Sequence, residues 1–133
     1  MSFTYHSTSD DISTIAKEAL KANLFSSYKW VMYHTLKNPL KIKQITICCD
    51  TESNFFVGVC VIDNEDAICT FVKPKYRKKG IGTTLANITL KNIENKCALV
   101  YAYEGLIGVS DLYWSKLGFK RICDYWELRL KCS

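Results

Sequence analysis

The sequence predicts an α/β sandwich, a mixed and mostly antiparallel central sheet with helices on both faces, in the order β-α-α-β-β-β-α-β-α-β-β. Three observations carry this. Strand-like runs at 42–49, 55–62 and 67–72 are separated by the short polar breaks Asp50-Thr51-Glu52-Ser53-Asn54 and Asp63-Asn64-Glu65-Asp66, and gaps that short join antiparallel neighbours. The run 55–62, Phe-Phe-Val-Gly-Val-Cys-Val-Ile, is apolar without alternation, as a central strand covered on both faces must be. Helical spacing of apolar residues both precedes and follows these strands.

Taken in order, Phe3, Thr4, Tyr5 and His6 alternate as a short first strand, and Thr8-x-x-Asp11 resembles a capping-box helix start. Ile12, Ile15, Ala16, Ala19 and Leu20 then fall on one helical face. A second helix begins near Ser27, turns Val31, Met32, Thr35 and Leu36 inward, and stops at Asn38-Pro39, because proline disfavours helix at the residue before it. Beyond the three strands, Ile81, Leu85 and Ile88 with Ala86, Leu90, Ile93 and Cys97 trace a broad apolar stripe on one long helix. A fifth strand at 98–103, a short helix at 110–117 ended by Gly118, and closing strands at 119–123 and 125–130 complete the order, with Trp126, Leu128 and Leu130 on one face.

A chain of 133 residues, 48% of them apolar, is about one domain long, so 1–133 is expected to share one core. The net charge of +5 attracts anions without selecting among coenzyme phosphates, nucleic acid and acidic substrates. Seven cysteines with no C-x-x-C pair are not a disulfide framework. They read as small buried hydrophobes in a reducing compartment, and neither they nor His6 and His34 have metal-site spacing. With no charged-then-apolar leader and no apolar run near ~18 residues, the expectation is a cytoplasmic protein with no membrane span.

The segment Val72-Lys73-Pro74-Lys75-Tyr76-Arg77-Lys78-Lys79-Gly80-Ile81-Gly82-Thr83 joins a buried strand to the first turn of the long helix. A helix N-terminus offers N–H groups without intrahelical acceptors and the positive end of the macrodipole, and glycine lets an anion approach the backbone closely. Lys73, Lys75, Arg77, Lys78 and Lys79 put five cations within seven positions, so a polyanion would be steered here. The spacing is neither that of the nucleoside-triphosphate loop nor that of the dinucleotide turn. One short loop is a small footprint for nucleic acid.

The spacing R-x-x-G-x-G preceded by V-x-P-x-x-R resembles the coenzyme-A loop of the GNAT acetyltransferases. Leu112-Tyr113-Trp114-Ser115-Lys116-Leu117-Gly118-Phe119 is similar to that family's late helix-to-strand signature, and the order of elements agrees throughout. The resemblance implies an acetyl-CoA-dependent N-acetyltransferase acting on a primary amine, small molecule or protein amino group, by direct attack in a ternary complex. Its co-substrate is acetyl-CoA. The alternative is a GNAT-fold module that binds coenzyme A without turnover.

By the same resemblance, main-chain N–H groups of Arg77, Lys78, Lys79, Gly80, Ile81 and Gly82, with Thr83 adjoining, hold the pyrophosphate, and the backbone of Phe71 and Val72 meets the pantetheine arm and acyl carbonyl. The family's tyrosine acid falls on Trp114, which has no acidic proton to give. Tyr113 stands one place earlier and needs a shifted helix register or another approach to reach the sulfur. Ile107 replaces an asparagine common in relatives. A family glutamate base maps to Asp66, which is also a natural hairpin-turn residue, and Glu104, just past the fifth strand, is a second candidate. Phe25, Tyr28, Trp30 and Tyr33 could line an acceptor pocket or the core. The protein is expected to be a monomer or a homodimer, the latter through a closing strand such as 125–130.

Overall fold

The computed structural model describes residues 2–22, 31–93, 99–103 and 111–130. Its elements are β1 (Phe3–Thr8), α1 (Ile12–Lys21), α2 (Val31–Leu36), β2 (Ile42–Asp50), β3 (Phe56–Asp63), β4 (Ile68–Val72), α3 (Ile81–Ile93), β5 (Leu99–Tyr103), α4 (Asp111–Lys116), β6 (Lys120–Ile122) and β7 (Tyr125–Arg129). This is the expected order. The α1 start differs in detail: Asp11 is the N-cap, and the Thr8 hydroxyl accepts from the N–H groups of Asp10 and Asp11 instead of closing a capping box. The start expected for α2 near Ser27 lies outside the described residues.

Strands β1 to β4 form one antiparallel sheet in sequential order, and β5-β7-β6 form a second. Among the described residues the two meet at one parallel bridge, Ala67 with Tyr101, where the Tyr101 N–H donates to the Asp66 carbonyl at 2.9 Å. Strand β7 is interior, paired to β5 on one side and β6 on the other. Only its first three residues, Tyr125, Trp126 and Glu127, are flanked on both sides; Leu128 and Arg129 pair with β5 alone, which limits the edge open to a second copy to that end.

The unalternating run in β3 is buried on both faces, as its composition demanded. On one face Val59 and Val61 pack with Ile45, Ile47 and Phe71 against Ile15, Ala16, Ala19, Met32 and Leu36 of α1 and α2. On the other, Cys60, Ile62 and Ile68 meet Ile81, Leu85, Ala86, Leu90 and Ile93 of α3, with Trp114, Phe119 and Trp126 closing the end of that core. Each fully buried aliphatic side chain contributes ~1.5–3 kcal/mol relative to exposure, so the helices are held to the sheet mainly by these two layers.

Two features place α3 against the end of β4. The β2–β3 register shifts between Cys48 and Cys49, lodging Val57 as an extra residue in β3, and such a bulge re-aims the strand that carries it. Beside it, a Cβ on Gly58 would lie 2.9 Å from the Phe71 carbonyl oxygen and 3.0 Å from Leu85 Cδ1. Glycine is thus what lets α3 sit this close to the sheet. Replacing Gly58 by alanine should destabilise the fold by ~1–3 kcal/mol, an overpacking cost, read as a lowered urea midpoint with an unchanged slope.

Candidate active site

The loop between β4 and α3 departs from ordinary backbone at two points. Lys78 has φ 64° and Gly80 has φ 81°, both in the left-handed region, which costs a non-glycine residue roughly 1–2 kcal/mol. A strained lysine in a loop marks a conformation that surrounding structure imposes. Gly80 caps α3: its carbonyl accepts the Thr84 N–H at 3.0 Å and the Thr84 hydroxyl at 2.9 Å. The amides of Ile81, Gly82 and Thr83 thus open the helix, where N–H groups point along the axis toward an anion. Among the described residues nothing lies within 4 Å of where a Gly80 Cβ would be, so open space adjoins the curled main chain.

The cationic side chains divide by use. Arg77 donates from Nε to the Val72 carbonyl at 2.8 Å, and its guanidinium lies 5.6 Å from the Phe71 ring centroid. It fastens the loop to the end of β4. Lys75 lies over Tyr76 at 5.5 Å. Lys78 and Lys79 are exposed, and they supply the positive field at the loop's outer face.

The register of β4 decides which main-chain groups face the gap toward β5. The Lys73 N–H donates to the Val57 carbonyl and the Asp63 N–H to the Ala67 carbonyl, and Val59 pairs Phe71 while Val61 pairs Cys69. In an antiparallel pair the bonded residues alternate. Phe71 and Cys69 thus spend their main-chain groups on β3, and those of Ile68, Thr70 and Val72 turn to the other side. Val72 keeps its expected placement at the gap. Phe71 does not, and Thr70, which the sequence reading passed over, takes its place.

Tyr113 reaches this region. Its hydroxyl donates to the Gly82 carbonyl at 2.7 Å and lies 3.5 Å from Thr70 Oγ1, and its ring would touch a Cβ on Gly82 at 3.6 Å. Trp114, one residue on, is 2% exposed and stacks edge-on with Tyr113 and Phe119. The tryptophan is a core anchor that sets the rotation of α4, and that rotation aims the tyrosine at the first turn of α3. Burial, then the neighbouring Cys60, pushes the Tyr113 hydroxyl well above the ordinary phenol value, so it is a protonated donor at neutral pH.

Asp66 lies elsewhere. It sits in the β3–β4 hairpin with φ 64°, its carboxylate ion-paired with Lys43. Four residues of strand, ~13 Å, separate it from Thr70. The structure does not bring it together with Tyr113 and the loop. Glu104, Ile107, Phe25, Tyr28 and Trp30 fall outside the described residues, and Tyr33 is half-buried against the α1/α2 layer. His6 and His34 are exposed. No helix among the described residues is long and apolar enough to cross a membrane.

The described cysteines are free thiols. Burial raises Cys48 and Cys60 to about 11 and Cys69 to about 12, so these three are neutral and unreactive near pH 7.

Neither protein-family profiles nor curated proteins yield a match to this sequence. Solved structures do. The ribosomal-protein-S18-alanine N-acetyltransferase from Escherichia coli superposes with a TM-score of 0.73 at 12% identity, covering 99% of this chain and 96% of its own. A GNAT family N-acetyltransferase from Escherichia coli, solved with CoA, gives 0.68 at 16% identity, covering 97% of this chain and 82% of that one. The PaiA N-acetyltransferase from Thermoplasma acidophilum, in complex with coenzyme A, gives 0.61 at 17% identity over 97% and 99%.

The raised thiol values carry a pH consequence. Below pH 9.0, the ordinary thiol value, folded and unfolded chains are both protonated and the contribution to stability is complete. Above it the unfolded chain ionises while Cys60 and Cys69 hold their protons, so stability falls from pH 9.0 toward about 12. Urea midpoints at pH 8 and pH 10.5 should differ more for the native sequence than for the variant carrying Cys60→Ala and Cys69→Ala.

Proposed function

We propose that this chain, which has the fold of the GNAT N-acetyltransferases, transfers an acetyl group from acetyl-CoA to a primary amine, of a small molecule or a protein, by direct attack in a ternary complex. One observation carries the reading: the Tyr113 hydroxyl, the first turn of α3 at Gly82 and the gap-facing edge of β4 at Thr70 come together within hydrogen-bonding distance.

Bound acetyl-CoA would supply an activated acyl thioester and a thiolate leaving group. The open space at Gly80 and the amides of Lys78 through Thr83 fit its pyrophosphate, with Lys78 and Lys79 screening the charge and Arg77 holding the loop in shape. The main-chain groups of Thr70 and Val72 fit the extended arm that must lie along the gap, as an added strand would. Each group acts through the backbone, so side-chain identity there matters little except where a Cβ intrudes.

Tyr113 is the hydrogen donor to the departing sulfur. A leaving thiol near 8.5 is a weaker base than a phenolate whose parent is raised above 10. Complete transfer from Tyr113 is therefore uphill, and its larger service is a hydrogen bond to the developing charge. Holding thioester and amine in line provides effective molarities on the order of 10⁵–10⁸ M, against ~10²–10⁴-fold for an acid or base. Positioning dominates. Of the two carboxylates, Asp66 is ion-paired with Lys43 in the hairpin, away from Tyr113, and the amine's proton goes to Glu104 or to solvent. The reading of a coenzyme-A-binding module without turnover drew on Trp114 alone, and Tyr113 supplies the hydroxyl that tryptophan lacks. Free thiols among the described cysteines suit a cytoplasmic setting.

Replacing Gly80 by valine puts a β-branched side chain at positive φ in the phosphate cradle. The variant should lose at least ~10-fold in coenzyme-A affinity by calorimetry while remaining folded, since one hydrogen bond to a charged group is worth ~1.5–3 kcal/mol. Coenzyme-A release with a panel of amines tests turnover; binding with no turnover of any amine would select the module instead.

A further inference from the structure

A line of polar side chains crosses the sheet beneath α3 and ends at Tyr113. Ser7 pairs Thr46, Thr46 pairs Cys60, and Cys60 pairs Thr70 across β1, β2, β3 and β4, so four strands set these side chains in one row on the α3 face. Thr46 donates to Ser7 Oγ at 2.7 Å, and Thr89 of α3 reaches both Thr46 Oγ1 and the Leu85 carbonyl at 2.7 Å. Thr70, 8% exposed, donates to Cys60 Sγ at 3.4 Å and lies 3.5 Å from the Tyr113 oxygen. Hydroxyls in an otherwise aliphatic layer cost stability unless satisfied. Here each has a partner, and the partners lead to the candidate acid.

We propose that Thr70 is a positioning residue whose hydroxyl turns from the Cys60 sulfur to the Tyr113 oxygen as Tyr113 gives up proton density to the leaving thiolate. The inference rests on the acetyltransferase reading above. A hydroxyl has one proton to donate and rotates to suit. In the free protein that proton goes to sulfur, a weak acceptor, while Tyr113 donates to Gly82. When Tyr113 redirects its hydrogen to the departing sulfur, negative charge grows on its oxygen in a buried place. Thr70 Oγ1 lies within reach of that oxygen, and turning to it forfeits only a weak bond to a thiol. Tyr113 keeps its proton while hydrogen-bonding the departing sulfur, the Thr70 proton stays on Thr70, and solvent protonates the released thiolate after the products part. Cys60 forms and breaks no covalent bond.

The test is a cycle of Thr70→Val and Tyr113→Phe, with coenzyme-A affinity, KM and kcat measured separately. Thr70→Val should keep affinity and KM within about two-fold and lower kcat ~10-fold or more, the worth of one hydrogen bond to a charged group. Thr70→Ser should restore kcat to within about two-fold of the native value, and adding Thr70→Val to Tyr113→Phe should change nothing further. An unchanged kcat in Thr70→Val overturns the proposal, as does an equal further loss in the Tyr113→Phe background, which would mark a packing role. Should Thr70→Val not fold, Thr70→Ala carries the same comparison. Native protein that takes up no coenzyme A, or Tyr113→Phe with full kcat, overturns the acetyltransferase or acid reading and this proposal with it; a slow Tyr113→Phe beside a normal Thr70→Val sinks this proposal alone.

Discussion

Between β4 and β5 the sheet is joined, among the described residues, by the Ala67–Tyr101 bridge and by no further ladder pair. A strand leaving its neighbour after one bridge exposes alternate main-chain groups along its length, and in β4 the alternation selects Thr70 and Val72. An interior edge of this kind is normally a liability, because unsatisfied amides and carbonyls are costly when buried. It becomes an asset when an extended ligand pairs with it. The bulge at Val57, the missing side chain at Gly58 and the Arg77 fastening to Val72 all act at the end of this edge, and together they bring the N-terminus of α3 to it.

Electrostatics then sorts the groups nearby. Five cations adjoin the gap, but two of them are engaged in holding the loop and its flank, so the specific grip falls to backbone amides and the remaining lysines supply an attractive field. Thiols that burial keeps neutral exclude Cys48, Cys60 and Cys69 as nucleophiles. Tyr113 is kept protonated by the same desolvation. One physical cause, the dry interior on the two faces of the sheet, thus silences the thiols and arms the phenol.

Much of this was legible in the residues. The apolar run in β3 announced a strand covered on both sides, and the polar breaks announced antiparallel neighbours. The glycine loop announced its place at a helix start by Gly80 and Gly82. Parity was not legible: choosing between Phe71 and Thr70 requires the β3–β4 hydrogen-bonding register, and a strand apolar at Ile68, Cys69, Phe71 and Val72 does not show which residues bond to β3. The placement of Tyr113 was equally hidden, because six helical residues fix no rotation until the core socket for Trp114 is known. Strand order hid the interior position of β7, since a sequence shows which segments are strands more readily than which lie at an edge. Asp66 was readable in both ways, and it sits in the hairpin turn, ion-paired with Lys43.

The central claim is that an extended ligand ending in a diphosphate occupies the gap, its phosphates on the turn that opens α3 and its arm along β4. Amide chemical shifts of labelled protein titrated with coenzyme A address it most directly. The account predicts the largest changes at Lys79 through Thr83, with a second group at Thr70 and Val72 and little at Phe71. Shifts confined to the exposed lysine side of the loop, or spread over the β6–β7 hairpin with the α3 turn unmoved, would contradict it.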